Sequence, residues 1–252
     1  MHLTKLNQIK TVLDGITIHQ NKPVVFVHSG LFPFGLIEGG VSGICETLID
    51  WVGHSGTLLM PTFTFRKADT WHEHNTPSET GVLTEYFRKL PGVRRTLHPI
   101  HSVAAYGRQA EYLTSEIDSS SFGPKSVFAK MFELKATNIS LGTEFEGGAT
   151  YLHYIEELAK VPYREYVKLR TKVVNSKEEK IDINFKYFAR IKKTDLEWVN
   201  NWPPVWDDLV AHNIIHLRKI GPAKIIYSDM YQAGNFFLKE LNKNPFYCAV
   251  KR

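Results

Sequence analysis

Polar side chains that can bind or activate a substrate are concentrated between residues 94 and 107. This segment begins with two arginines and continues with a threonine, two histidines and a serine before it becomes apolar. Hydroxyl groups donate hydrogen bonds and guanidinium groups supply positive charge, so the segment suits a pocket for a phosphate or an acyl group. The alternative is a strand whose polar start faces solvent. The polar residues are Arg94, Arg95, Thr96, His98, His101 and Ser102.

A second candidate site lies in the segment 150–157, which has the pattern of a helix. Thr150, His153 and either Glu156 or Glu157 fall on one face of that helix, because residues three and four apart are neighbours. A histidine held by a carboxylate is the usual arrangement of a general base, since the carboxylate fixes the tautomer and stabilises the imidazolium. The alternative is a surface histidine beside a glutamate that stabilises the helix.

The remaining histidines are weaker candidates for chemistry. His72 and His74 alternate with an acid in the long polar loop 64–80, and we expect them to be exposed to solvent. A metal-dependent hydrolase built from His98, His101 and His153 is a further alternative, which requires a set of metal ligands. No close carboxylate–histidine pattern supports it, so we expect no metal site.

Familiar catalytic motifs are missing from the sequence. There is no GxxxxGK[ST] phosphate-binding loop and no GxSxG nucleophile elbow, and the spacing of Gly30 and Gly35 does not make a dinucleotide fingerprint. The two cysteines, Cys45 and Cys248, lie in apolar surroundings, which is typical of buried thiols in a reducing compartment. Neither cysteine is therefore expected to act as a nucleophile.

Composition narrows the class of protein further. The 252 residues are 43% hydrophobic, which is enough to bury a sizeable core, and the net charge is +5. A basic balance favours an anionic partner, but the basic residues are dispersed and no nucleic-acid-binding motif accompanies them. We expect a phosphorylated small molecule as the partner and no nucleic acid. With no long apolar run and no signal-like N-terminus, a cytoplasmic protein that does not bind membranes is expected.

The elements that must position these residues alternate between helix and strand in the first part of the chain. Helical spacing predicts helices over 3–14 and 41–52, and apolar runs predict buried strands over 23–28 and 57–62. A strand, a glycine-rich loop, a helix and a strand in that order favour a parallel α/β sheet. Further helices are predicted at 83–90, with Thr80 as its N-cap, at 109–116, 128–134 and 150–159, and a strand at 138–142.

The pattern changes beyond residue 165. Segments 166–174 and 180–191 alternate apolar and polar residues, as antiparallel strands do, and a hairpin-like connection joins them. We predict helices over 207–217 and 230–241 and a strand over 224–227. The fold class expected is α/β, with a central mixed sheet and an antiparallel C-terminal segment. Residues 1–252 are expected to form one domain, in which 165–252 is an extension packed on the rest.

Several blocks in a fixed order resemble the aminoglycoside 3-N-acetyltransferase family, also called the antibiotic N-acetyltransferase family. They cover roughly residues 20–170, and the R-x-x-HP-x-HSV-AA-x-G block followed by T-x-x-H-x-x-E makes the combination specific. The resemblance implies the family's own α/β fold and the transfer of an acetyl group from acetyl-CoA to an amine of an amino sugar. The blocks are VVFVHSGLFPFGLIEGG (24–40), GTLLMPT (56–62), TPSETGVLTEYFR (76–88), the segment 95–107, FGPKS (122–126) and the segment 141–156.

The resemblance also implies roles for particular residues. His153 matches the catalytic base and Glu156 the acid that follows it, and Glu85 is an alternative carboxylate that could orient the base. The loop His28-Ser29-Gly30-Leu31 matches the family's H-S-S-L loop against CoA, with Gly30 where a second serine is common. The remaining residues expected to bind CoA are Gly39 and Gly40, before a helix, and Thr96, His101, Ser102 and Val103, beside the pantetheine and acyl end.

The acceptor is predicted from charge alone. Aminoglycosides are polycations, whereas this chain is basic, so a nucleotide-linked amino sugar for surface polysaccharide synthesis is the preferred acceptor. An aminoglycoside 3-N-acetyltransferase that confers antibiotic resistance is one alternative, and a non-catalytic CoA-binding protein is another. A CoA thioester and an amino sugar are thus the expected partners, and a homodimer is left open.

Overall fold

A computed structural model describes residues 3–16, 23–66 and 68–252, and it confirms the predicted α/β class with a central mixed sheet. The helices pack against the two faces of that sheet. They are α1 (Leu6–Asp14), α2 (Gly40–Val52), α3 (Val82–Phe87), α4 (Ala110–Ser115), α5 (Val127–Glu133), α6 (Phe145–Gly148), α7 (Leu152–Leu158), α8 (Trp202–Ala211) and α9 (Met230–Lys243).

The strands form one large sheet and several small ones. They are β1 (Leu3–Thr4), β2 (Val24–Ser29), β3 (Leu36–Ile37), β4 (Thr57–Pro61), β5 (Thr70–His72), β6 (Arg94–Arg95), β7 (Val103–Gly107), β8 (Thr137–Leu141), β9 (Arg164–Lys168), β10 (Lys172–Val174), β11 (Lys180–Ile181), β12 (Lys186–Arg190), β13 (Lys192–Lys193), β14 (Leu196–Asn200), β15 (Ile215–Ile220), β16 (Ala223–Asp229) and β17 (Ala249–Lys251).

The central sheet has seven strands in the order β15-β16-β8-β2-β4-β7-β6. Its middle is parallel, because β2 pairs in parallel with both β4 and β8. The pairs toward both edges are antiparallel. Two strands from the C-terminal part of the chain, β15 and β16, therefore extend the sheet whose parallel strands come from the first part.

Alternation along β2 explains the layers on the two faces of the sheet. Val24 and Phe26 join an apolar cluster with helices α4, α5, α7, α8 and α9, whereas Val25 and Val27 join a second cluster with α1, α2 and α3. A strand that is buried on both faces has a continuous run of apolar residues in its sequence, and this run is the pattern that predicted β2. The result is a three-layer α/β/α arrangement.

The antiparallel strands expected after residue 165 are present. β9 pairs with β12, and β10 pairs with β11, in antiparallel register. β10 also adds in parallel to β5 from the long polar loop, so this segment ties that loop to the rest of the molecule. The short strands β13, β14 and β17, which the sequence did not predict, form a separate three-stranded sheet.

Three details of the predicted secondary structure are wrong. The helix expected over 207–217 is α8, which spans Trp202–Ala211, while 215–220 is strand β15. Prolines in the first turn of α8 do not stop it, because a missing N–H costs nothing there. Helix α3 has Gly81 as its N-cap, and the hydroxyl of Thr80 donates instead to the carbonyl of Pro61 at 2.6 Å. Residues 3 and 4 form β1 rather than the start of a helix.

Among the residues that the structure describes, no helix has both the length and the apolar character needed to cross a membrane.

Candidate active site

The loops that follow the carboxyl ends of the parallel strands are the usual place for a ligand in an α/β sheet. Here β2 and β8 end side by side, and the amide of Gly30 donates to the carbonyl of Leu141 at 2.9 Å. Gly142 has a φ of +73°, and a Cβ placed on it would overlap the carbonyl oxygen of Gly30. Only glycine at position 142 allows the two chain segments to approach so closely.

The predicted CoA loop occupies the end of β2. His28 is buried, its Nε2 has no hydrogen-bond partner among the described residues, and burial lowers its pKa to about 3. Ser29 and Leu31 are half-buried beside it. Gly39 and Gly40, the other predicted CoA contacts, are exposed at the start of α2 with φ values of +66° and +62°. At α2 the polypeptide therefore offers open backbone N–H groups to an anion.

The predicted residues around 96–103 are mostly enclosed in the sheet. Ser102 is fully buried, and its hydroxyl donates to the carbonyl of Thr62 at 2.7 Å and accepts from Nε of Arg95 at 3.0 Å. The hydroxyl of Thr96 accepts from the amide of Val103, itself fully buried, at 2.9 Å. In this arrangement these side chains hold β6 and β7 together rather than facing an open pocket.

Arg95 explains why so many polar groups gather there. Its guanidinium is buried and stacks 4.7 Å from the ring centre of Trp71. It donates to the carbonyls of Thr62, Glu73 and Thr76 as well as to hydroxyl groups. A buried charge needs such partners, so the arginine fastens the loop 62–80 to the sheet.

His101 lies apart from this network. Its Nδ1 is 2.8 Å from the hydroxyl of Ser121, and its ring centre is 5.0 Å from that of Phe122. Phe122 in turn lies 5.7 Å from the ring of His153, so one phenyl ring contacts both imidazoles. Burial, reinforced by the positive groups nearby, lowers the pKa of His101 well below its ordinary value and favours the neutral ring.

His153 and Glu156 form a hydrogen-bonded pair in the structure. Nδ1 of His153 contacts Oε2 of Glu156, one helical turn further along α7. If Nδ1 carries the proton, the lone pair is on Nε2, which has no hydrogen-bond partner among the described residues. This tautomer leaves the second nitrogen available to accept a proton from a substrate.

Glu156 is held by residues that the sequence did not single out. Nη2 of Arg164 lies 2.9 Å from Oε2, and the hydroxyl of Tyr163 donates to Oε1 at 2.7 Å. The thiol of Cys248 lies 3.5 Å from the same Oε1 and 3.0 Å from the tyrosine hydroxyl. The spacing of these residues in the sequence does not predict their contact with Glu156. The one signal in the sequence is that Arg164 follows soon after the end of α7.

These contacts set the ionisation of the pair. Burial alone raises the pKa of Glu156, but the neighbouring His153 and Arg164, with the hydroxyl of Tyr163, outweigh it and hold this pKa at about 2. Burial and the charge of Arg164 lower the pKa of His153, while Glu156 opposes them. At neutral pH the carboxyl is therefore ionised and the imidazole is neutral, which is the state a general base requires.

Glu85, the alternative orienting acid, is engaged elsewhere. Its carboxylate accepts from Arg88 at 2.6 and 2.7 Å, from Lys89 at 2.7 Å and from the amide of Ser78 at 2.7 Å. It has no hydrogen bond to His153 in the part of the chain that is described. Between the two candidate carboxylates, the one in contact with the histidine is Glu156.

A cavity of about 290 Å³ opens beside this pair. His153, His101 and Phe122 form one part of its wall, and Arg164 forms another. The remainder is contributed by the antiparallel segment; its residues are Tyr187, Phe188, Ala189, Arg190, Lys192, Glu197, Trp198 and Asn200. The structure thus brings two of the predicted site residues to one cavity, while the His28–Leu31 loop and Ser102 do not line it.

The candidate metal ligands of the hydrolase hypothesis all lie within residues 3–16, 23–66 and 68–252. No group of three or more histidine, cysteine and acidic side chains there has the arrangement of a metal site. His98, which the hydrolase hypothesis needs as a ligand, accepts at Nδ1 from the amides of Ile100 and His101 at 3.2 and 3.1 Å.

Solved structures of aminoglycoside acetyltransferases share this architecture. AAC(3)-Xa superposes with a TM-score of 0.82 at 21% identity, over 96% of this chain and 93% of that one. AAC-IIIb, determined as a binary complex with CoASH, superposes with a TM-score of 0.79 at 19% identity, over 96% and 97%. A variant of AAC(3)-IVa in complex with a gentamicin gives 0.78 at 22% identity, over 98% and 92%. The fold is thus that of this class of acetyltransferase.

The chain belongs to the aminoglycoside 3-N-acetyltransferase family, whose sequence model matches residues 26–242. Aminoglycoside N(3)-acetyltransferase IV of Salmonella sp is 34% identical over 143 residues, 56% of this chain and 54% of that protein. The YokD protein of Bacillus subtilis, described as aminoglycoside N(3')-acetyltransferase-like, is 25% identical over 168 residues, 57% and 61%. The matches thus span between one half and two thirds of these relatives.

Proposed function

We propose that this chain is an acetyl-CoA-dependent N-acetyltransferase that acts on an amine of an amino sugar. The observation that carries the proposal is the His153–Glu156 pair beside a cavity, with the carboxylate fixed by Arg164 and Tyr163. Family membership supports the reaction type, because the named relatives are N-acetyltransferases. The structure bound to CoASH supports the cosubstrate.

The proposed reaction is a direct attack without an acyl-enzyme. The amine of the acceptor attacks the thioester carbonyl while Nε2 of His153 takes the proton that the nitrogen loses. The tetrahedral adduct then expels the thiolate of CoA, and the imidazolium returns the proton to sulfur. One C–N bond forms and one C–S bond breaks. Glu156 stabilises the imidazolium between these two proton transfers.

We propose the acetyl-CoA site along the ends of the parallel strands. The exposed backbone of Gly39 and Gly40 at the start of α2 suits phosphate oxygens, and the loop His28–Leu31 lies beside the end of β8. His101 is the predicted CoA contact that shares the cavity with His153. Ser102 and Thr96 serve this site indirectly in the proposal, by fixing the strands next to it.

The named relatives favour a different acceptor from the one predicted from net charge. They are aminoglycoside acetyltransferases, and solved complexes contain a gentamicin, apramycin or sisomicin. No comparison supports a nucleotide-linked amino sugar. Aminoglycosides are accordingly the first acceptors to test, and phosphorylated or nucleotide-linked amino sugars form the second group.

The reaction is tested by following free CoA when acetyl-CoA is mixed with each acceptor in turn. Release of CoA that depends on the acceptor, together with an N-acetylated product identified by mass spectrometry, is expected. Binding of acetyl-CoA without turnover of any amine would contradict the proposal and favour a non-catalytic CoA-binding protein. Activity that a chelator abolishes would favour a metal-dependent reaction instead.

A further inference from the structure

The lining of the cavity beside His153 is rich in positive charge. Arg164, Arg190 and Lys192 all line it, and Glu197 is the acidic residue among the lining side chains. Arg164 and Arg190 are directly opposite each other in the antiparallel pair of β9 and β12. Like charges directly opposite each other destabilise a sheet unless a group of opposite charge lies between them.

Two of these three cations already have an anionic partner. Nη2 of Arg164 is 2.9 Å from Glu156, and Nζ of Lys192 is 2.8 Å from Glu197. Arg190 has neither an ion pair nor a hydrogen bond from its side chain within the described part of the chain. Nε of Arg164 is buried and also unpartnered. Donors therefore remain in this wall that the protein itself does not satisfy.

We propose that the acceptor amino sugar carries an oxyanion, either phosphate or carboxylate, which binds between Arg190 and Lys192 while the amine faces His153. The inference rests on the proposed reaction and narrows its acceptor. A planar guanidinium binds a phosphate or a carboxylate through two parallel hydrogen bonds, and the nearby ammonium of Lys192 adds charge. Glu197 makes an ion pair with that ammonium.

The charge of this wall disfavours a polycationic acceptor at the same place. An aminoglycoside brings several ammonium groups, and one placed beside Arg190 would meet a positive side chain that makes no direct ion pair within the described part of the chain. Specificity arises from such a repulsive contact as well as from the attractive one. In this proposal the local charge favours an anionic amino sugar over the drugs named in the related structures.

The proposal is tested by calorimetry on the protein saturated with CoA, using glucosamine, glucosamine 6-phosphate, glucosamine 1-phosphate, muramic acid and gentamicin as probes. At least one anionic probe is expected to bind about ten- to a hundredfold more tightly than glucosamine, the range for hydrogen bonds to charged groups. The phosphates and muramic acid separate phosphate from carboxylate recognition. Arg190→Gln is expected to remove most of that advantage, whereas Lys193→Gln, in β13 next to Lys192 but outside the cavity wall, is expected to preserve it.

Three results would overturn the inference. Anionic probes that bind no better than glucosamine would do so, as would gentamicin binding more tightly than all of them. Weaker binding of CoA in Arg190→Gln, with an unchanged preference among acceptors, would assign the arginine to the cosubstrate. Calorimetry measures binding without turnover. If an anionic probe binds in a way that depends on Arg190 but the turnover assay shows no release of CoA, the proposed reaction is refuted and the oxyanion subsite still stands.

Discussion

Two glutamates, Glu85 and Glu156, make closely similar ion pairs with an arginine and yet differ in what lies beside them. Glu85 receives two hydrogen bonds from Arg88 and one from a backbone amide of the loop 62–80. Glu156 makes an ion pair with Arg164 and accepts a hydrogen bond from Tyr163, but it also contacts His153. The contacts of Glu85 thus include a backbone amide, whereas the contacts of Glu156 include an imidazole that can exchange a proton.

The burial of the two carboxylates sharpens this difference. The side chain of Glu156 is fully buried, while that of Glu85 is 26% exposed. Both have a pKa of about 2; in each case burial raises it, and the paired cations and hydrogen-bond donors outweigh that effect. An ionised carboxylate is therefore common to both sites, and the partner that it orients decides between a structural and a catalytic role.

The largest effect is expected from His153→Ala. General-base catalysis is typically worth about 10²–10⁴-fold, so kcat for acetyl transfer should fall by that factor while the Kd for CoA stays nearly unchanged. Glu85→Gln, measured in the same assay, is the matched control and should retain most of its kcat when the protein is folded. Full activity in His153→Ala, with activity abolished in Glu85→Gln or His101→Ala, would show that the base is misassigned.

Glu156→Gln is expected to have a smaller effect on rate. The amide keeps a hydrogen bond to the imidazole but no longer neutralises the imidazolium, so a decrease in kcat of about 10–100-fold is expected, corresponding to about 1.5–3 kcal/mol for a hydrogen bond to a charged group. The same variant leaves Arg164 without its anionic partner, so its melting temperature must be measured alongside. A kcat equal to that of the parent would contradict the orienting role.

Glu85→Gln should instead lower stability. Its partner Arg88 is buried, and losing the carboxylate leaves that guanidinium with a weaker acceptor. We expect the free energy of unfolding in urea to decrease by about 1–3 kcal/mol. Lys10→Gln, which removes an exposed ion pair with Asp14, is the control and should change this free energy by less than about 0.5 kcal/mol. A Glu85→Gln protein as stable as its parent would remove the structural role assigned to this network.

The part of the fold that the sequence predicts well is the part with strong local signals. The apolar run of β2 and the helical face of α2 depend on neighbouring residues, and both were predicted nearly to their ends. The predicted start of α8 lies too far along the sequence, because the helix has its prolines in the first turn. Prolines at the start of a helix cannot be distinguished by pattern from prolines in a loop. The strand order around β15 depends on contacts across the chain, which periodicity does not contain.

The candidate site likewise combines contacts that local spacing predicts with contacts that it does not. His153 and Glu156 are one helical turn apart, so their pairing follows from spacing. Cys248 reaches the same carboxylate from the far end of the chain, and no local pattern indicates it. Ser102 is predicted to lie beside the acyl end of CoA because it stands among polar residues; in the structure it is fully buried, and its hydroxyl accepts a hydrogen bond from Nε of Arg95.

The central claim, that His153 is the general base, is tested most directly by the pH dependence of kcat/KM in the parent protein and in His153→Ala. Because burial lowers the pKa of His153, the neutral base persists below its ordinary value, and its acidic limb should lie below about pH 6.5. Activity should fall as the pH decreases through that limb, since protonation removes the lone pair, and the limb should be absent from the residual activity of His153→Ala. The same limb in both proteins, with similar rates above it, would contradict the claim.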